Sequence, residues 1–212
     1  MNALIFDLDG TLVDSLPGIA ASLNRALALH GLRSHSHAAV RGFIGDGAKM
    51  LVTRALSPGE AALHSESILK SFAQDYAISW PDGTVPYKGI PALLAHLKSR
   101  QIPLAVLSNK PHPFTLEIVE TLFPPNTFTS ILGNREGLPH KPDPTGALES
   151  AAKLSTLPGN CILIGDSTID LDTARNAGLR SIAVTWGYHD RKHLSGADRI
   201  VDNVDELFSA LT

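Results

Sequence analysis

The sequence predicts an α/β chain: a doubly wound parallel sheet carrying a small all-helical insert. Three observations predict it. The chain opens on an apolar run, Met1-Asn2-Ala3-Leu4-Ile5-Phe6, that ends in acidic residues. From about Gly18 to Trp80, apolar residues recur at three- and four-residue spacing, and no β-rich run appears. After Trp80-Pro81-Asp82-Gly83, short apolar runs alternate with helical stretches to the end.

Each element follows from its residues. The first run is continuous in apolar side chains, as a strand covered on both faces must be. Asp7 and Asp9 follow it, two positions apart, so in an unbroken strand they share a face and Leu8 takes the other. Two neighbouring carboxylates repel and lose hydration, and a cation relieves both penalties. Gly10 permits a sharp turn, and Thr11 offers a hydroxyl and an N–H beside the pair. Asp14 or Ser15 can cap a helix over 16–30 with Pro17 in its first turn. Further helices are expected at 37–44, 47–56 and 59–78, punctuated by Gly45-Asp46-Gly47 and Pro58-Gly59.

In the second part, a helix is expected from Ile90 to about Arg100. Strands are expected at 103–109, 128–132, 161–166, 180–184 and 199–201. The helices between them run from Pro113 to Leu122, Pro144 to Leu154 and Thr168 to Ala177, the last closed by Gly178. Asn203 caps a final helix. The domains read as 1–15 with 81–212 for the sheet and 16–80 for the insert.

Composition narrows the function. With 212 residues, 43 % of them hydrophobic, and a mean hydropathy of +0.06, the chain is long enough for a core plus a small second domain. A net charge of −3 and a pI near 6.3 argue against nucleic acid or an anionic membrane as partner. No apolar stretch reaches 18 residues, and the apolar start lacks the basic flank of a signal peptide, so a cytoplasmic location is expected. The one cysteine, Cys161, opens an apolar run and reads as a small buried hydrophobe. Nine histidines are present, none at zinc-ligand spacing.

Open α/β sheets bind ligands at the carboxyl ends of their strands. There the sequence puts Asp7 and Asp9, then Ser108-Asn109-Lys110, then Gly165-Asp166-Ser167-Thr168-Ile169-Asp170. Lys141-Pro142-Asp143-Pro144 introduces a helix between the last two. Singly, each has a bland reading as a helix cap, a turn or a surface lysine. Together they resemble, in order, the four motifs of the haloacid dehalogenase superfamily: D-x-D-G-T, a Ser/Thr after the second strand, a Lys before a helix, and G-D-x-x-x-D.

The resemblance spans the chain. It implies a Rossmann-like core with the helical insert as its C1 cap. It also implies a Mg²⁺-dependent phosphatase acting through an aspartyl-phosphate. Asp7 would be the nucleophile and Asp9 the general acid and base. Lys141 would balance charge and orient Asp7. The metal would be held by the Asp7 and Asp166 carboxylates and the Asp9 carbonyl, with Asp170 behind them or acting through water. The Ser108 hydroxyl and the N–H groups of Leu8 and Asn109, with Thr11 nearby, would bind the phosphoryl oxygens. An aspartate at position 9 favours phosphate esters, because haloacid dehalogenases and phosphonoacetaldehyde hydrolases, as families, lack it.

Further stretches resemble the phosphoglycolate phosphatase subfamily: Leu107 to Pro111, Thr173 to Gly178, Val184 to Tyr188, and Ile44-Gly45-Asp46-Gly47. The expected partner is then a small-molecule phosphate ester. Arg41 is the first choice to meet its carboxylate, with Lys49 and Arg54 as other cap cations. The alternatives are a phosphotransferase of the β-phosphoglucomutase type, a pyrophosphatase, a sugar-phosphate phosphatase and, in another class, a non-catalytic binding protein on the same fold. Monomer and homodimer are equally compatible with the sequence.

Overall fold

The computed structural model describes Ala3 to Leu211. Met1 and Asn2, where the first apolar run begins, and Thr212 lie outside the described residues. The chain divides into two compact units. One holds the residues up to Val13 together with those from Pro86 on, and the other is Asp14–Val85.

The first unit starts with β1 (Ala3–Phe6), buried along its whole length. The chain leaves this unit at β2 (Val13–Asp14) and returns at β3 (Val85–Pro86), two short strands that the apolar pattern does not reveal. Between them lie α1 (Leu16–Leu29), α2 (His37–Arg41), α3 (Gly47–Arg54) and α4 (Pro58–Ser79). Helix α1 starts where the Asp14 carboxylate accepts the Leu16 N–H at 3.2 Å. Helix α2 stops at Arg41, three residues before its expected end. Helix α4 starts in a capping box, in which Ser57 and Glu60 satisfy each other's backbone N–H. Pro58 and Gly59 are therefore its first turn and not a break before it.

After β3, α5 (Ile90–Ser99) leads to β4 (Leu104–Pro111) and α6 (His112–Leu122). Then come β5 (Ser130–Asn134), α7 (Thr145–Lys153), β6 (Cys161–Gly165), α8 (Thr168–Ala177), β7 (Arg180–Val184), β8 (Arg199–Val201) and α9 (Val204–Leu211). Strand β5 starts two residues later than expected, because Phe128 packs edge-on against Phe123 instead of entering the sheet. The Asn203 cap holds: its side chain accepts the Glu206 N–H at 2.9 Å.

The six main strands pair in parallel in the order β5-β4-β1-β6-β7-β8. This is the doubly wound sheet that the alternation predicts. Ala3 and Ile5 of β1 share a cluster with Leu163 of β6, Leu107 of β4, Ala147 and Ala151 of α7, and Ala174 and Ala177 of α8. Leu4 and Phe6 point to the other face and are equally buried. Helix α8 begins at Thr168, three residues after β6 ends at Gly165, so its first turn lies at the carboxyl end of that strand. Cys161 lies in this core and is fully buried, and burial raises its thiol pKa. Among the described residues, no helix is long and apolar enough to cross a membrane.

Candidate active site

Strand order reverses at β1, which has β4 on one side and β6 on the other. The chain ends of these three strands supply Asp7, Ser108 and Asp166. Beyond Phe6 the chain leaves the sheet at once. The Asp7 N–H still reaches Ile164 O at 2.9 Å, but the carbonyl of Leu8 then accepts from Thr11, Leu12 and Val13. Gly10, at φ +84°, makes this turn, and a Cβ there would run into the Asp166 carboxylate.

Strand β1 ends at Phe6, before both Asp7 and Asp9, so the pair lies in the turn and not on an unbroken strand. Each carboxylate meets its own lysine. Lys141 Nζ lies 2.9 Å from Asp7 Oδ1. Lys110 Nζ lies 3.0 Å from both Oδ1 and Oδ2 of Asp9. Two like charges with adjacent origins have thus separated onto two cations.

Asp7, Asp166 and Asp170 converge. Each offers a carboxylate oxygen, and these oxygens lie within 4.8 Å of one another. Asp170 is fixed on both sides. Its Oδ1 accepts from Lys141 at 2.7 Å, and its Oδ2 accepts the Ser167 hydroxyl at 2.6 Å and the Ser167 N–H at 3.1 Å. The capping box that starts α8 is thus also what orients a site carboxylate. Asp166 is held from two directions, by the Thr11 hydroxyl at 3.2 Å and the Tyr188 N–H at 2.6 Å.

Three carboxylates against one ammonium leave the cluster negative. Burial, and then the neighbouring carboxylate of Asp170, push the Asp7 pKa from 3.8 up to about 7, against the opposing pull of Lys141. Burial and the charges of Asp170 and Asp7 also raise Asp166 well above its ordinary value. For Lys141, burial pulls the pKa down, but Asp170 and Asp7 more than offset this and hold the ammonium above its usual value. A buried, oxygen-only donor set with excess negative charge fits a divalent cation and does not suit a soft metal. Each of the three offers an oxygen to it, and hydrogen bonds already orient both oxygens of Asp166 and both of Asp170.

The remaining expected residues divide. Ser108 and Asn109 are buried at the end of β4. The Asn109 side chain donates to Lys141 O at 3.1 Å and accepts the Lys141 N–H at 2.8 Å, tying two of the motifs together. Leu8 is fully buried in the turn. Thr11, expected among the phosphoryl-binding groups, is fully buried and its hydroxyl is spent on Asp166. Arg41 is the last residue of α2, in the helical unit. Arg54, another of the cap cations, is engaged there with Asp46 and the Phe43 carbonyl.

Lys110, Ser167, Trp186, Gly187 and Tyr188 also enter the site, and their sequence neighbourhood signals no role for them. The Trp186 indole donates to Thr11 O at 3.2 Å, and a Cβ on Gly187 would collide with Asp166. The stretch Thr185 to Tyr188 was legible only as a subfamily pattern. Its partner Asp166 is 22 residues away from Tyr188, and no local periodicity links them.

The family model of haloacid dehalogenase-like hydrolases matches residues 4–184. A phosphoglycolate phosphatase from Pectobacterium atrosepticum is 31 % identical over 98 % of this chain and 91 % of that protein. Another, from Mesorhizobium japonicum, is 32 % identical over 89 % of this chain and 84 % of that protein. A crystal structure described as a predicted phosphoglycolate phosphatase from Haemophilus somnus superimposes with a TM-score of 0.90 at 28 % identity, covering 100 % of this chain and 98 % of that one. The chain belongs to the haloacid dehalogenase-like hydrolases.

Proposed function

We propose that this chain hydrolyses a small phosphate monoester, phosphoglycolate, with Mg²⁺ as its metal and Asp7 as nucleophile. The observation that carries the reading is the pairing of a buried Asp7 with Lys141 at 2.9 Å, beside Asp166 and Asp170, at the point where the sheet changes direction. The names of the similar proteins support the substrate.

Lys141 fixes Oδ1 of Asp7, which orients the carboxylate for attack. An Asp7 oxygen forms a bond to phosphorus as the ester P–O bond breaks, giving an aspartyl-phosphate. Asp9, in its protonated form, gives its proton to the departing alkoxide oxygen and is left as a carboxylate. It then takes one from the water that attacks the phosphorus, and the Asp7 carboxylate leaves as inorganic phosphate forms. The Ser108 hydroxyl and the backbone N–H groups of Leu8 and Asn109 receive the charge that builds on the phosphoryl oxygens. Bound by Asp7, Asp166 and the Asp9 carbonyl, Mg²⁺ would neutralise the charge of the carboxylates and the phosphoryl group.

Phosphate release from phosphoglycolate tests this. Chelation with EDTA should abolish release and Mg²⁺ should restore it. Full turnover after exhaustive chelation, or no release from any of a panel of phosphate monoesters with Mg²⁺ present, overturns the reading.

A further inference from the structure

Lys110, the lysine that meets Asp9, has no part in the chemistry above. Lys110 is almost wholly buried, with its side chain 6 % exposed, and it is the last residue but one of β4. Its backbone is held on both sides: the Lys110 N–H donates to Ser108 Oγ at 3.2 Å, and the Thr115 hydroxyl donates to Lys110 O at 3.1 Å. The β4–β5 register shifts between Leu107 and Pro111, around Ser108-Asn109-Lys110. Such irregularities re-aim a side chain that a regular ladder would send elsewhere. Here the re-aimed chain carries an ammonium to both oxygens of Asp9. Burying an ion pair of this kind gives little stability over an apolar pair of the same volume, so stability alone does not account for it.

The geometry points to Lys110 as the residue that reads the charge of the leaving group, while positioning Asp9. This inference rests on the phosphoglycolate reading above and names the group of the core that would recognise its carboxylate. To exchange a proton with the leaving oxygen, Asp9 must lie about 3 Å from it. Lys110 Nζ is 3.0 Å from each Asp9 oxygen. The ammonium is then within about 6 Å of the leaving oxygen, as the sum of two hydrogen-bond lengths. In phosphoglycolate one methylene separates the ester oxygen from the carboxylate, so the carboxylate oxygens lie ~3 Å further on and within reach of the same cation. A neutral leaving group meets a cation already engaged with Asp9 and gains nothing from it. An anionic one adds a second partner to that cation. Charge discrimination would then be built into the strand that carries Ser108, two residues from the hydroxyl offered to the phosphoryl group.

Phosphoglycolate and 2-hydroxyethyl phosphate test this, because they share a two-carbon skeleton and differ in the carboxylate. The kcat and KM of wild type, Lys110→Met and Lys110→Arg are measured on both with saturating Mg²⁺. Wild type should favour phosphoglycolate by at least about tenfold in kcat/KM, as a charged hydrogen bond allows. Lys110→Met should lose about a hundredfold on phosphoglycolate, with raised KM, and less than about tenfold on 2-hydroxyethyl phosphate. Lys110→Arg should keep most of the preference. If circular dichroism shows Lys110→Met to be unfolded, Lys110→Gln takes its place, with the same selective loss expected. Equal losses on both substrates, with the wild-type preference present, show that Lys110 acts only through Asp9 or the fold and overturn this inference alone. A wild type without the preference overturns both this inference and the phosphoglycolate reading.

Discussion

Asp75 in the helical unit and Asp7 in the sheet unit each touch a cation, yet their acidities move in opposite directions. Asp75 meets Arg25 through two parallel hydrogen bonds, Nε to Oδ2 at 2.8 Å and Nη2 to Oδ1 at 2.6 Å, and the Arg25 side chain is half exposed. That fork, with lesser help from Ser22 and Ser79, lowers the Asp75 pKa to about 2. Asp7 has an ammonium at 2.9 Å and still rises to about 7, because burial and the Asp170 charge outweigh Lys141. A partner cation therefore does not decide the state of a carboxylate. The balance of water, like charges and cations around it does. In the helical unit, Arg25 with Asp75 and Arg54 with Asp46 each settle two charges near the surface. The sheet unit leaves a deficit of positive charge, and that deficit is what gives it chemistry.

The sharpest way to break the comparison is Asp7→Asn. The change keeps the shape and removes one negative charge from a crowded cluster. Phosphate release should fall by ~10³-fold or more, as loss of a nucleophile does. In EDTA at pH 8 the variant should melt no lower than wild type, because a buried carboxylate with a raised pKa is a cost to the fold above that pKa. Turnover close to wild type would remove Asp7 from its role. A large drop in melting temperature would show that its pairing with Lys141 outweighs the crowding.

The opposite shifts also carry opposite pH signatures. The folded pKa of Asp7 lies above its unfolded value of 3.8, so the folded state binds the extra proton between them. Metal-free stability at this group should fall as pH rises from about 4 to about 7. Asp166, also raised, adds in the same direction. Asp75 is lowered, so its contribution is present above 3.8 and is lost as pH falls toward 2. Mg²⁺ should therefore raise the melting temperature more at pH 8 than at pH 5, where Asp7 is largely protonated. Melting curves with EDTA or Mg²⁺ at the two pH values read this directly. An equal rise at both would mean that the cluster is not the metal site.

How much of this was legible beforehand follows the range of each signal. Asp7, Asp166, Asp170, Ser108 and Lys141 sit at strand ends and helix starts, where apolar runs stop, so order along the chain was enough to find them. The partners of Asp9 and Asp166 were not legible. Lys110 reaches Asp9 across 101 positions, and only the register shift in β4 aims it there. Thr11 reads as a donor beside the phosphoryl site, yet the fold turns it to Asp166, because Gly10 bends the chain back on Leu8. The start of β5 is not legible, because an aromatic residue that packs in a loop looks the same in sequence as one that enters a sheet.

The smallest effect is expected at the other side of the comparison. Asp75→Asn removes the charge that Arg25 holds but keeps a side chain of the same shape near Ser22 and Ser79. The pair joins α1 to α4 within one unit, and both partners reach solvent, with side chains 49 % and 25 % exposed. Pairs of this kind are worth about 0–1 kcal/mol, because water already solvates both charges and salt screens them. In a chain of this size such a loss lowers the melting temperature by only about 2–4 °C. It should shrink further in 0.5 M NaCl and leave phosphate release unchanged. The core that joins α1 to α4 is apolar, with Leu23, Leu27, Ile68, Phe72 and Tyr76 buried, and it does not need the ion pair to form. A loss above about 2 kcal/mol, insensitive to salt, would mean that the fork and its two serines act as one buried network. The helical unit would then hold its charges as the sheet unit does, and the contrast between the two would lie in like-charge crowding alone.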